Sequence, residues 1–309
     1  MNFADRLVEA IQQKGSAVCV GLDPQLAKLP AFLLKQAQVE YPSPLEAAAH
    51  AFLEFNKGII DAIADLVPAV KPQMAFYEEL GFYGVWAFEE TCKYAQQKGL
   101  LVIADGKRND IGSTAEAYAK LLGGLEVFGQ VQASFVDALT VNAYLGFDGV
   151  NPFVKACEAF GKGIFVLVRT SNPSSGDVQG RVTADEKISV AELMGHFVDS
   201  WGSDLIGTSN YSSVGAVVGA TFPQEAAKLR GIMPSAFFLV PGYGVQGGTA
   251  EDVKDCFDEQ GLGALIVNAR GILYAFADSE DPTGTHFAEA ARVATQKMNL
   301  ELNRVRSTR

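Results

Sequence analysis

Asp105 and Lys107 lie two residues apart in the run DGKRNDIGST, directly after the apolar stretch LLVIA. On extended chain, residues i and i+2 project to one face, so a carboxylate and an ammonium stand side by side. Each favours the charged form of the other, which suits electrostatic and acid–base work at a reacting atom. A structural ion pair has the same spacing. Position separates the two readings: Lys71, in VKPQ, ends the preceding apolar run. Two lysines and an aspartate gathered at one place are costly to hold unless they serve a ligand. Asp110 follows in a short turn, before a helix expected to start at Ser113, because Ser113 and Glu116 have capping-box spacing. Asp110 and Thr114 are therefore candidates for ligand contact, with helix-start roles as the ordinary alternative.

A second constellation lies downstream. FFLVPGYGVQGGTAEDV carries four glycines in seven residues after an apolar run. Glycines let the backbone approach a ligand and turn N–H groups towards an anion. A helix predicted to open near Thr249 adds its positive end. VNARG, after the last apolar run, brings Arg270 beside this loop, and Gln246 within the loop is placed to bond the same group. Between the two constellations lies RTSNPSSGDVQGRVTADEKIS, a long polar segment with the character of a lid or of a passive insertion. Ser171 and Asn172 at its start are close enough to read a base edge.

The elements that must position these residues are short β-branched runs alternating with amphipathic stretches. Predicted strands are Ala17–Asp23, Pro68–Pro72, Leu101–Asp105, Ala138–Ala143, Gly163–Thr170, Val214–Gly219, Phe237–Pro241 and Ala264–Asn268. Predicted helices include Leu45–Leu66, Gly84–Lys98, Thr114–Leu122, Val190–Trp201 and Ala250–Glu259. Continuous apolar strands alternating with helices imply a parallel sheet covered by helices. About eight such units favour a closed α/β barrel of the (β/α)₈ TIM type. Most runs end in a polar or conformationally special residue: Asp23, Lys71, Asp105, Asn142, Thr170, Gly242, Asn268. In that fold the C-terminal strand ends build the active site. No linker or composition shift interrupts residues 1–309, which are expected to form one domain.

Composition narrows the partners. The formal charge of −11 over 309 residues argues against nucleic-acid or anionic-membrane surfaces, but leaves room for one local anion pocket. Cys19, Cys92, Cys157 and Cys256 are scattered without C-x-x-C spacing, as expected of a reduced, cytoplasmic protein. His50, His196 and His286 lack metal-ligand spacing, so no zinc site is expected. The opening MNFADRLVEAIQQKG reads as a short amphipathic helix without an apolar signal core. No apolar run reaches membrane-spanning length.

The run DGKRNDIGST resembles the D-x-K-x-x-D-I signature of the orotidine 5′-phosphate decarboxylase family. VKPQMAFYE, VRTSNP, VPGYGVQGG and VNARG resemble its other active-site segments, in order along nearly the whole chain. The likeness is greatest to the longer, type II branch. Gly106, Asn109 and the Asn268-Ala269 pair depart from shorter members. The resemblance implies metal-free, cofactor-free decarboxylation of orotidine 5′-phosphate to uridine 5′-phosphate in pyrimidine biosynthesis. It implies an array of Lys71, Asp105, Lys107 and Asp110, the last supplied by the neighbouring subunit of a homodimer. Asp23 and Thr114 would contact the ribose or base region, Ser171 the pyrimidine, and Gln246 and Arg270 the phosphate. Rival readings are a metal-dependent sugar-phosphate enzyme of the hexulose-phosphate synthase kind, a non-catalytic nucleotide-binding barrel, and a Schiff-base aldolase using Lys107.

Overall fold

The structure, a computed structural model, describes residues 1–244, 247–278 and 283–307. Its strands are β1 (Val18–Leu22), β2 (Ala69–Pro72), β3 (Leu101–Arg108), β4 (Ala138–Val141), β5 (Gly163–Arg169), β6 (Ser212–Val218), β7 (Ala236–Val240) and β8 (Ala264–Asn268). They close into a parallel barrel in which each strand neighbours the next and β8 returns to β1. This is the (β/α)₈ architecture anticipated from the alternating pattern. Helices Pro44–Ile63, Gly81–Gln97, Gly112–Ala119, Phe147–Phe160, Val190–Gly202 and Pro223–Ile232 follow β1 to β6 in turn, and Phe287–Arg306 follows β8.

The strands are buried on both faces, and their two-residue alternation sorts the side chains into two layers. Val18, Val20, Val70, Val102, Leu139 and Ile266 face the helices. Cys19, Ala69, Ile103, Ala138, Phe165 and Leu265 fill the barrel interior. The opening helix, Phe3–Lys14, plugs the bottom: Phe3, Leu7 and Ile11 belong to the interior cluster. Phe3 meets Phe165 edge-on, with centroids 5.9 Å apart. At the same end Asp137, just before β4, is buried. It accepts hydrogen bonds from Arg6 Nη1 at 2.8 Å and Val102 N–H at 3.0 Å, and lies 3.6 Å from Lys162 Nζ.

Several local expectations change. β3 runs on to Arg108 rather than stopping at Asp105. Ser113 does not cap a helix: Gly112–Ala119 follows Ile111 with no side-chain cap, and Asp110 Oδ1 instead accepts the Ile111 N–H at 2.8 Å. The capping box occurs at Ser189 and Glu192. The helix expected over Ala250–Glu259 is replaced by turns and one short 3-10 turn, Lys254–Cys256. Its aspartates compete for backbone donors: Asp252 accepts from Thr249 N–H, and Asp258 from the Gln260 and Leu262 N–H groups. The helix Ala31–Glu40 and a small hairpin pairing Glu126–Val127 with Gln130–Val131 were not anticipated. No helix of the described residues is long and apolar enough to cross a membrane.

Candidate active site

The interior alternation that places Ala69, Ile103 and Ala138 inside the barrel brings the next inward positions, Lys71, Asp105 and Thr140, to its mouth. Asp105 is the hub. Its Oδ2 accepts from Lys71 Nζ at 2.6 Å and Gln73 Nε2 at 3.0 Å. Its Oδ1 accepts from Lys107 Nζ at 2.7 Å and Thr140 Oγ1 at 2.8 Å. Four donors thus occupy the four lone-pair positions of one carboxylate.

Lys107 is not on regular strand. Its φ of 45° lies in the left-handed region, where the β3–β4 register shifts between Ala104 and Arg108. For a lysine this conformation costs roughly 1–3 kcal/mol and persists only where neighbours enforce it. Thr140 does so, since its Oγ1 accepts the Lys107 N–H at 2.9 Å while donating to Asp105. The lysine therefore reaches Asp105 through a kink rather than by simple alternation.

Burial sets the charges. Desolvation works against ionised Asp105, but the ammoniums of Lys71 and Lys107 outweigh it and hold the carboxyl far below its usual range. Desolvation also works against charged Lys71, and Asp105 and Asp23 reverse it, holding that ammonium above its ordinary value. Asp23 shows the opposite balance: burial raises its pKa although Lys71 opposes the rise. Among the described residues its Oδ1 has no hydrogen-bond partner, and it is shielded from solvent. Such an acceptor awaits a donor, and a ligand hydroxyl would supply one. Cys19 below it is pushed up to about 12, by burial first, and is an inert wall.

These groups line a cavity of about 480 Å³. Leu167, Val217, Leu239 and Val267 form its apolar floor, and Ser171, Asn172 and Gln179 one polar wall. Arg270 closes the far rim, exposed beyond β8. Gly21 allows this rim to approach, because a Cβ there would stand 2.6 Å from the Cβ of Ala269. The glycine loop differs from expectation. The N–H groups of Gly244, Gly247 and Gly248 bond carbonyls within the loop, at 2.8, 2.7 and 3.1 Å. No helix starts at Thr249 either, and Arg270 lines the cavity on that side.

Of the predicted residues, Asp23, Lys71, Asp105, Lys107, Ser171 and Arg270 meet in this cavity. Gln246 lies outside the described residues. Asp110 and Thr114 are not among the cavity-lining residues of the single chain; Thr114 is exposed on its helix. Sequence reasoning passed over Gln73, Thr140 and Gln179. The first two were findable, because each stands two residues beyond an inward-facing position.

Fold and cavity together describe a (β/α)₈ barrel with charged side chains on the strand ends at its mouth and an arginine at the far rim of the cavity. Residues 16–281 match the model of the orotidine 5′-phosphate decarboxylase / HUMPS family. A Rhodopirellula baltica orotidine 5′-phosphate decarboxylase is 44% identical over 308 residues, covering 98% of this chain and 99% of the relative. One from Caldicellulosiruptor bescii is 40% identical over 305 residues, covering 98% of each. The solved OMP decarboxylase of Leishmania donovani superposes with a TM-score of 0.74 at 28% identity, covering 99% of both chains. The chain belongs to the orotidine 5′-phosphate decarboxylase / HUMPS family.

Proposed function

We propose that the Lys71–Asp105–Lys107 array decarboxylates a pyrimidine nucleotide anchored at its phosphate by Arg270. The chain is a carboxy-lyase, converting orotidine 5′-phosphate to uridine 5′-phosphate and CO₂ in de novo pyrimidine biosynthesis. The observation that carries the reading is the hub: one carboxylate gripped on both oxygens by ammoniums, in the wall of a nucleotide-sized cavity.

The chemistry follows from the geometry. Breaking the C6–carboxylate bond releases CO₂ and leaves its electron pair on C6, a site the ring stabilises poorly. Lys107, fixed and protonated, stabilises that pair electrostatically and then delivers a proton to C6. Asp105 cannot act as base while its lone pairs are filled; it stands as a fixed negative wall against the substrate carboxylate. Asp23 accepts from the ribose, Ser171 reads the pyrimidine edge, and Gln246 joins Arg270 at the phosphate. Binding energy from that distant phosphate is then available at the reacting carbon.

Asp110 joins the array from a second copy in a cytoplasmic homodimer. Two features support this: within one chain Asp110 is not among the residues lining the cavity, and exposed apolar side chains lie by it, Ile111 next in the chain and Leu145, which with the Asp110 backbone flanks Gly149. Mixing Lys107→Ala and Asp110→Ala subunits tests it, because a shared site restores activity in the hybrid and a self-contained site does not.

The decisive assay is the fall in absorbance on adding orotidine 5′-phosphate, with and without a chelator. Chelator-resistant turnover is expected; turnover that depends on a divalent ion would favour the sugar-phosphate synthases of the same family.

A further inference from the structure

We infer that Arg169 is a positioning residue for pyrimidine recognition, holding the segment that carries Ser171 against the cavity. Arg169 ends β5, yet it is buried and points away from the ligand space. Its Nε and Nη2 bond both carboxylate oxygens of Glu225, at 2.7 and 3.0 Å. Its Nη1 bonds Ser175 Oγ at 2.5 Å and Gln179 Oε1 at 3.4 Å. The guanidinium lies over the Phe222 ring, 3.6 Å from the centroid.

These partners come from two separate pieces of chain. Glu225 and Phe222 belong to the start of the helix after β6, whereas Ser175 and Gln179 belong to the polar segment after β5. Arg169 therefore ties the polar segment to the barrel wall at two points, Ser175 within its 3-10 turn and Gln179 just beyond it. Gln179 carries the tie back to the cavity, accepting from the Thr170 N–H at 2.9 Å. Thr170 Oγ1 in turn bonds Asn172 Oδ1 at 2.6 Å. Ser171 is thus bracketed by two residues whose positions trace to one guanidinium. Gly219 completes the seat: a Cβ there would stand 2.8 Å from Ser171 N. A planar, five-donor guanidinium fits this set of partners, and a lysine cannot reproduce it.

The inference rests on the reading of Ser171 as the pyrimidine contact, so its test separates the two ends of the nucleotide. Dissociation constants of uridine 5′-phosphate and ribose 5-phosphate are measured for wild type, Arg169→Met and Glu225→Ala. Glu225 is partly exposed, at 43%, so that variant reports even if the buried change prevents folding. Uridine 5′-phosphate is expected to weaken by about tenfold, the scale of one lost polar contact, with ribose 5-phosphate unchanged. KM for orotidine 5′-phosphate should rise more than kcat falls. Equal weakening of both ligands, or none, overturns the role of Arg169. If the wild type itself binds both ligands equally, the Ser171 reading fails and takes this one with it.

Discussion

Lys71 and Lys107 divide one carboxylate between them, Lys71 on Asp105 Oδ2 at 2.6 Å and Lys107 on Oδ1 at 2.7 Å. The two lysines are not equivalent. The Lys71 side chain is 7% exposed, while that of Lys107 is 44% exposed and looks into the cavity. One holds the hub and the other faces the cavity.

Lys107→Ala should abolish decarboxylation and leave the fold intact. A positioned proton donor is worth about 10²–10⁴-fold in rate, and here electrostatic stabilisation is lost with it. Absorbance assays with circular dichroism check both halves; substantial turnover in a folded variant would refute the assignment.

Asp105→Ala acts on stability as well as rate. It strands the buried Lys71 ammonium, and breaking a buried pair from one side costs about 3–5 kcal/mol. Urea unfolding should show this loss, and Asp105→Ala/Lys71→Met should recover part of it while remaining inactive.

Thr140→Val tests the kink. The substitution keeps shape but removes the acceptor of the Lys107 N–H and one donor to Asp105, a loss of about 1–3 kcal/mol for the unsatisfied group. We expect kcat to fall by about tenfold or more, with KM for orotidine 5′-phosphate nearly unchanged.

Arg270→Ala should weaken uridine 5′-phosphate by about ten- to a hundredfold, as a charge-assisted bond of about 1.5–3 kcal/mol would, with the melting temperature nearly constant. Calorimetric titration would settle it. Unchanged affinity removes Arg270 from the phosphate site.

The pH behaviour follows from three shifts of known sign. Asp105 is depressed, so its stabilisation is complete above about pH 4 and lost as pH falls through its lower folded value. Lys71 is raised, so its share persists below about pH 10.4 and is lost only as pH climbs through its higher folded value. Asp23 is raised, so holding it ionised costs stability once pH exceeds about 4. Asp23→Asn should therefore be more stable than wild type at pH 7, with the difference closing below about pH 4, while nucleotide affinity falls. Equal stability at both pH values would contradict the burial of this carboxyl.

The barrel was legible because its strands are continuous apolar runs ending in polar residues; all eight appear. The array was legible because Lys71 and Asp105 are adjacent on consecutive strands. Less visible was anything decided by competition for backbone donors. Asp252 and Asp258 undo the helix expected after the glycine loop, and the helix expected at Ser113 starts one residue earlier, at Gly112, with no side-chain cap. The glycine loop illustrates the same limit from the other side. Composition announces a tight turn, but not that the turn will spend three of its N–H groups on itself.

Asp137, at the sealed end of the barrel, is also a buried carboxylate between two cations, Arg6 and Lys162. Burial opposes its ionisation and the Arg6 hydrogen bond overrides that, as the lysines do for Asp105. The two nodes share a charge pattern and differ in their surroundings: helix Phe3–Lys14 fills the space around one, and a cavity stands open beside the other. Charge grouping alone thus does not separate a rivet from a reaction centre. What separates them is vacant volume. The barrel accordingly carries its own control experiment, because Asp137→Asn should loosen the fold while leaving nucleotide affinity and turnover per folded molecule unchanged.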